Sequence, residues 1–162
     1  MINLPELMLL DLYENDWDLY INAVYEEFKK DFILNSTYYD DMKIGLRTEP
    51  IEREKVATFW HLVSVGAIED QRSIEIERCE RIKWPKVFIE NHYDESFLVW
   101  ENERKGKTNL CIYNSENRYI TVLGERKDYY LLLTGYYVKE NHRHEKLIKE
   151  YEAFKKTRAL SK

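Results

Sequence analysis

A histidine inside an apolar, aromatic run is the residue whose setting most invites a chemical role. His61 lies in Thr58-Phe59-Trp60-His61-Leu62-Val63-Ser64, between Trp60 and Leu62. An imidazole titrates close to neutrality, so on a rigid element it can serve as general acid or base with little tuning. The plainer reading is a core histidine satisfied by a backbone carbonyl. A second group is cationic: Arg72, Arg78, Arg81, Lys83 and Lys86. Arg78 and Arg81 are three apart and share a helix face, and two guanidiniums so placed can clamp a phosphate. Glu75, Glu77 and Glu80 lie among them, so a salt-bridged solvent face explains the same residues. The third group is Leu131-Leu132-Leu133-Thr134-Gly135-Tyr136-Tyr137. On a strand, Thr134 and Tyr136 point to one face and offer two hydroxyls, either to a site or to ordinary strand-end hydrogen bonds. Gly135 between them marks a bulge or a close backbone approach.

Spacings that hold metals or nucleotides are missing. His142 and His144 are two apart, which on a helix points their rings in different directions. Cys79 and Cys111 are far apart and form no metal-type pair, so they read as reduced, structural thiols. The five glycines are scattered singly, leaving neither a P-loop nor GxGxxG, and there is no serine elbow. Neither a metal nor a cofactor is expected.

The elements that must position these groups follow from periodicity. Residues 4–13 read as a short helix with Asn3 available as cap. From Asn15 or Asp16, Trp17, Tyr20, Ile21, Val24, Tyr25, Phe28 and Phe32 form one apolar stripe over about five turns. Lys29 and Lys30 suit its C-terminal dipole. Met42–Leu46 reads as a short strand. The β-branched and aromatic run 56–64 reads as another, with a helix from Glu52 as the alternative. As a strand it would put Phe59, His61 and Val63 on one face. Residues 73–83 look helical, with Ser73 as cap and Trp84-Pro85 as the stop.

The remainder reads as a meander. Phe97–Glu103 and Thr108–Tyr113 flank a turn at Lys105-Gly106-Lys107, and Tyr119–Leu123 follows. Tyr129–Val138 lacks alternation and should sit centrally, buried on both faces. A helix near 141–157 closes the chain, with Leu147, Ile148, Tyr151 and Phe154 inward. The expected architecture is α+β: N-terminal helices, a four-stranded mainly antiparallel sheet and a C-terminal helix.

With 162 residues, 44% hydrophobic and 34% charged, the chain fits one globular domain. No apolar run approaches the roughly 18 residues of a membrane span. The start has no basic region or small-residue cleavage site, so the chain is read as cytoplasmic, without membrane association. The net charge of −5 is uneven. Residues 1–35 carry eight acids against two lysines, whereas residues 139–162 carry eight basic residues against four glutamates. Two helices paired by charge, or a basic face on an acidic body, would both explain it.

Three segments in order, FWHLVS at 59–64, RCERIKWP at 78–85 and LLLTGYY at 131–137, followed by a basic helix, resemble one known group. It is the phage-associated branch of the superfamily uniting barnase, EndoU, colicin E5/D and RelE-type ribonucleases. The resemblance covers roughly residues 42–155, with 1–35 as a helical N-terminal extension of the single domain. It implies metal-independent RNA cleavage by 2′-hydroxyl attack, in a phage or mobile-element effector or toxin, with RNA such as tRNA as substrate. His61 would then be the base or acid, and Arg81, with Arg78, would hold the phosphate. Thr134 and Tyr136 would complete the catalytic set, with Trp84 and Tyr137 beside Arg78 on the substrate. The competing expectation is a non-catalytic interaction protein on the same scaffold. In that case the acidic, aromatic helix at 16–34 binds a protein partner or inhibitor, mimics nucleic acid or covers the site.

Overall fold

The computed structural model describes residues 2–66 and 72–160. Helix α1, Trp17–Phe32, starts where the stripe predicts: the Asp16 carboxylate accepts from the Leu19 amide at 3.2 Å. Tyr20, Ile21, Val24, Phe28 and Phe32 are its buried face. Lys29 and Lys30 pair with Glu26 and Glu27 one turn earlier.

The segment before it departs from expectation. Only Leu10–Tyr13 forms a single 3-10 turn, and Asn3 caps nothing. Backbone groups here are satisfied by other elements instead. The Met8 amide donates to the Glu80 carbonyl at 3.0 Å, Met8 receives the Tyr20 hydroxyl at 2.7 Å, and Pro5 receives the Trp84 indole N–H at 2.8 Å. Long-range partners thus replace the helix ladder.

After β1, Tyr38–Tyr39, and β2, Met42–Gly45, the 56–64 run forms helix α2, Ala57–Val63, not a strand. Every residue of α2 but His61 is buried. A helix surrounded by protein carries no amphipathic period, so its β-branched and aromatic content mimicked a strand. Thr58 ties it down: its hydroxyl accepts from the Arg47 amide at 2.7 Å and donates to the Arg47 carbonyl at 3.2 Å. A short ribbon follows, β3 at Ser64–Val65 antiparallel to β4 at Ser73–Ile74. The predicted 73–83 helix is therefore shorter: α3 is Ile76–Glu80. Pro85 does not end the helical region. It sits in the first turn of α4, Trp84–Glu90, where its missing N–H has no intrahelical partner to lose.

Four long strands follow: β5 Leu98–Arg104, β6 Lys107–Asn114, β7 Tyr119–Glu125 and β8 Tyr130–Tyr137. The β5–β6 turn needs two left-handed residues, and Lys105 and Gly106 have φ of 54° and 76°. The sheet has six strands rather than four, ordered β1-β2-β8-β7-β6-β5. The added pair extends it beyond β8, with β2 parallel to β8 through Ile44–Tyr130 and Gly45–Leu131. Pairing is otherwise antiparallel. The mixed α+β class stands, and β8 is interior as its apolar sequence requires.

The sheet divides two cores. Leu110, Ile112, Tyr119, Leu123 and Leu132 face α1–α4, and Phe28 meets Phe59 edge-on at 5.6 Å in that layer. Trp100, Cys111, Tyr113 and Ile120 face α5, Asn141–Leu160, which packs through Leu147. A bulge between Val122 and Leu123 leaves Leu133 without a cross-strand partner. Past the bulge, Thr134 and Tyr136 turn toward α5. No helix among the described residues is long and apolar enough to cross a membrane.

Two stability predictions follow from these packings. A Cβ at Gly135 would lie 2.5 Å from the Tyr119 hydroxyl oxygen, and Tyr119 is buried. Gly135→Ala should destabilise by about 1–3 kcal/mol in urea unfolding, and adding Tyr119→Phe should recover part of that loss. Asp31 lies partly buried beside Lys86, Glu27 and Glu90, and burial above all pushes its carboxyl up to about 6. The folded state then holds a proton that the unfolded chain has released, so stability falls as pH rises from about 4 to about 6. Asp31→Asn should flatten that slope and raise Tm at pH 7 while leaving Tm at pH 3.5 nearly unchanged.

Candidate functional site

The second half of β8 has no strand on its β2 side, because β2 pairs only with Tyr130 and Leu131. The end of α2, the β3–β4 ribbon and α3 fill that gap, and Arg78 is the side chain that closes it. Its Nη1 donates to the Ser64 carbonyl at 2.9 Å, to the Thr134 hydroxyl at 3.4 Å and to the His61 carbonyl at 3.5 Å. Nε donates to Glu75 at 2.9 Å, and the guanidinium lies 5.2 Å from the Tyr136 ring centroid. Thr134 in turn donates to the His61 carbonyl at 3.0 Å. Arg78 is only 8% exposed, so most of its donors serve the fold. A cation at the carbonyl end of α2 also suits the helix dipole.

Arg81 stands beside it but on a different task. Its guanidinium lies 4.2 Å from the Tyr137 ring and 5.2 Å from the Trp84 ring, with Nη1 donating to the Glu77 carbonyl at 3.0 Å. Arg81 Nε is buried without a hydrogen-bond partner. Trp84 is buried with its indole committed to Pro5, so its ring packs inside rather than presenting a face to a substrate. The two arginines therefore do not form one open clamp; each stacks on a separate tyrosine of β8.

His61 is split between two environments. Its carbonyl joins the Arg78–Thr134 cluster, while His61 also borders a small hollow of about 30 Å³ with Arg47, Thr58 and Leu131–Leu133. The strand geometry that would have aimed the ring alongside Phe59 and Val63 does not exist.

The open space lies on the far side of Arg78. A groove of about 310 Å³ runs between α3 and the start of α5, bordered by Glu75, Arg78, Tyr136, Tyr137, Lys139, His142 and Arg143. Arg143 donates to the Tyr136 hydroxyl at 2.9 Å and lies over the Tyr136 ring at 5.5 Å. That hydrogen bond is the main reason the Arg143 guanidinium holds its proton even more firmly than usual. Lys139 pairs with Glu77 at 3.1 Å, and that carboxyl sits below its usual range; partial burial opposes this, but its own backbone amide and Lys139 prevail. His142 lies 3.3 Å from Glu140. The groove thus combines a buried cation, two exposed cations, two phenols, two carboxylates (Glu75 and Glu140) and an imidazole. Such a set can hold a phosphate and exchange protons with it.

Of the seven residues selected from sequence, Arg78, Tyr136 and Tyr137 border the groove, and Thr134 touches Arg78 from behind. Arg81 lies over both the Tyr137 and the Trp84 rings, and His61 contributes its carbonyl. Glu75, Lys139, His142 and Arg143 carry no motif in the sequence, where the spacing of His142 and His144 bears only on metal binding. The signal for Arg143 was the basic excess after residue 139. Among the described residues no group of three metal-ligating side chains gathers, and helix α1 borders none of this groove.

Arg78→Ala should remove the buried donor shared by the Ser64 and His61 carbonyls and the Thr134 hydroxyl, strip Glu75 of its ion pair, and destabilise by about 1–3 kcal/mol in denaturant unfolding, whereas exposed Arg143→Ala should stay within about 0.5 kcal/mol. Compared with protein-family models, curated proteins and solved structures, the chain matches none.

Proposed function

We propose that this protein is a metal-independent endoribonuclease whose site is the groove between α3 and α5. The observation that carries the reading is the set of groups bordering one groove: Arg78, Arg143 and Lys139 for a phosphodiester, with Glu75 and His142 as titratable partners. The resemblance in sequence points to the same chemistry and extends it to a phage or mobile-element effector or toxin acting in the cytoplasm on RNA such as tRNA.

In this reaction a base removes the proton of the ribose 2′-hydroxyl, and the oxygen attacks the adjacent phosphorus. The bond to the 5′-oxygen breaks, and an acid returns a proton to that leaving oxygen. The products are a 2′,3′-cyclic phosphate and a 5′-hydroxyl. Glu75 and His142 are assigned the base and acid pair. Arg143 and the Tyr136 hydroxyl it grips face the charge that grows on the phosphoryl oxygens, and Arg78 adds fixed positive potential behind them. Thr134 and His61 act through Arg78, and Arg81 acts through Tyr137, as positioning residues.

A second reading is favoured by one observation. Around the ends of α1, Leu12 is 71% and Leu34 is 69% exposed, with Leu19 and Ile33 also uncovered. Such apolar exposure suits a non-catalytic protein that docks a partner through its N-terminal region.

Purified protein incubated in EDTA with total RNA, tRNA and single-stranded DNA separates the two. Cleavage of RNA to cyclic-phosphate ends, with DNA untouched, is the expected result. Arg143→Ala and His142→Ala should each lower the rate by about 10²-fold or more. His61→Ala should lower it less than His142→Ala. Loss of activity in His61→Ala with full activity in His142→Ala would return the acid–base role to α2, and no cleavage by the unaltered protein would favour the docking reading.

A further inference from the structure

A second cavity, of about 230 Å³, lies between α5 and the sheet and meets the groove at Tyr136 and Arg143, which border both. Its floor is apolar, with Ile120 and Val122 on β7. Its far end is polar and built. Glu150 of α5 accepts from Asn102 Nδ2 at 2.6 Å and from the Trp100 indole N–H at 2.8 Å, with Arg104 at 3.5 Å. Burial alone would raise this carboxyl, but the Asn102 and Trp100 hydrogen bonds and Arg104 hold it below its ordinary range. The amide nitrogen of Asn102 is committed to Glu150, which fixes the amide orientation. Its oxygen is buried with no hydrogen-bond partner. An unsatisfied buried acceptor of this kind is a cost to the fold that a ligand donating to it relieves.

Size and lining select the occupant. An apolar floor suits the face of a planar ring, and the paired oxygens of Asn102 and Glu150 ask for N–H donors on its edge. Arg143 and Lys146 give the mouth positive charge, as a ring attached to phosphate requires. We propose that this cavity is a base-reading pocket, taking a nucleobase whose exocyclic amino group donates to Asn102 and Glu150 while its phosphate lies in the adjoining groove. The assignment rests on the ribonuclease reading for the identity of the phosphate, and on the cavity alone for the base. Cytosine, adenine and guanine carry such an amino group, and uracil does not.

Titration calorimetry with 3′-CMP, 3′-AMP, 3′-GMP, 3′-UMP and ribose 5-phosphate tests this on the whole protein. At least one amino-bearing nucleotide should bind tenfold or more tighter than 3′-UMP and ribose 5-phosphate. Val122→Phe, which fills the floor, should abolish that difference. A readout without a variant is the Trp100 indole N–H resonance, which should shift with the amino-bearing ligand and stay in place with 3′-UMP. Equal binding of 3′-UMP or ribose 5-phosphate, or a resonance indifferent to the base, would overturn the pocket. RNA cleavage without preference for amino-bearing bases would leave the ribonuclease reading standing and remove only the base pocket. Selective nucleotide binding without any cleavage would keep the pocket and remove the catalysis.

Discussion

The buried guanidinium of Arg78 is the interaction on which the rest of this arrangement depends. Parallel pairing of β2 covers only the first two residues of β8. Without a plug, the remaining edge of an interior strand would lie against the carbonyl end of a buried helix, and both present unsatisfied oxygens. One side chain answers them together: it gives hydrogen to Ser64, His61 and Thr134, and balances its charge on Glu75. Arg72 reinforces the same point, donating to the Ser64 carbonyl at 2.6 Å and to its hydroxyl at 2.9 Å. A lysine in place of Arg78 could serve the acceptors of Nη1 but could not also hold Glu75, which Arg78 grips through a second nitrogen, Nε.

This requirement explains why chemistry and architecture are entangled here. The Arg78–Glu75 pair that closes the sheet edge is also part of the groove wall. Both the buried guanidinium of Arg78 and the exposed one of Arg143 lie near the Tyr136 ring, at 5.2 and 5.5 Å from its centroid. The groove therefore inherits a rigid back wall from the fold and takes its adjustable wall from the first turn of α5. Burial of Tyr119 against the backbone of Gly135 fixes the strand at the same place. A glycine there is a steric necessity of the tyrosine beneath it, not a source of flexibility.

Much of this was legible in the residues. The stripe of α1, the Lys105-Gly106 hairpin, the central place of β8 and the closing helix all follow from period and turn chemistry. What failed did so for a common reason. The 56–64 run is a helix enclosed by protein, so its residues obey no solvent-facing period and their propensity spoke for a strand. Residues 4–9 find hydrogen-bond partners on α1, α3 and α4, which no local rule anticipates. Strand β2 follows from the Met42–Leu46 reading, but β1 is too short to announce itself, and nothing local shows that β2 joins the sheet beside β8. At the site, Arg78, Thr134, Tyr136 and Tyr137 could be chosen from sequence because their types interrupt apolar patterns. Arg143, His142 and Glu75 could not, since on a charged helix turn or loop they look like ordinary solvated residues until the fold sets them around one groove.

Helix α5 is attached unevenly along its length. Near its start, Arg118 Nη2 donates to the Asn141 side-chain oxygen at 2.9 Å, and Tyr113 and His144 share a 2.7 Å hydrogen bond. In the middle, Glu150 is held by Trp100 and Asn102, and beyond Phe154 the described residues are exposed. Amide exchange along this helix should therefore be uneven, with protection strongest around residues 147–151 and weakest toward Leu160. The sheet beneath it, paired on both sides along β7, should exchange only by wider opening. Roof and floor would then open separately, α5 lifting while every strand stays in the sheet.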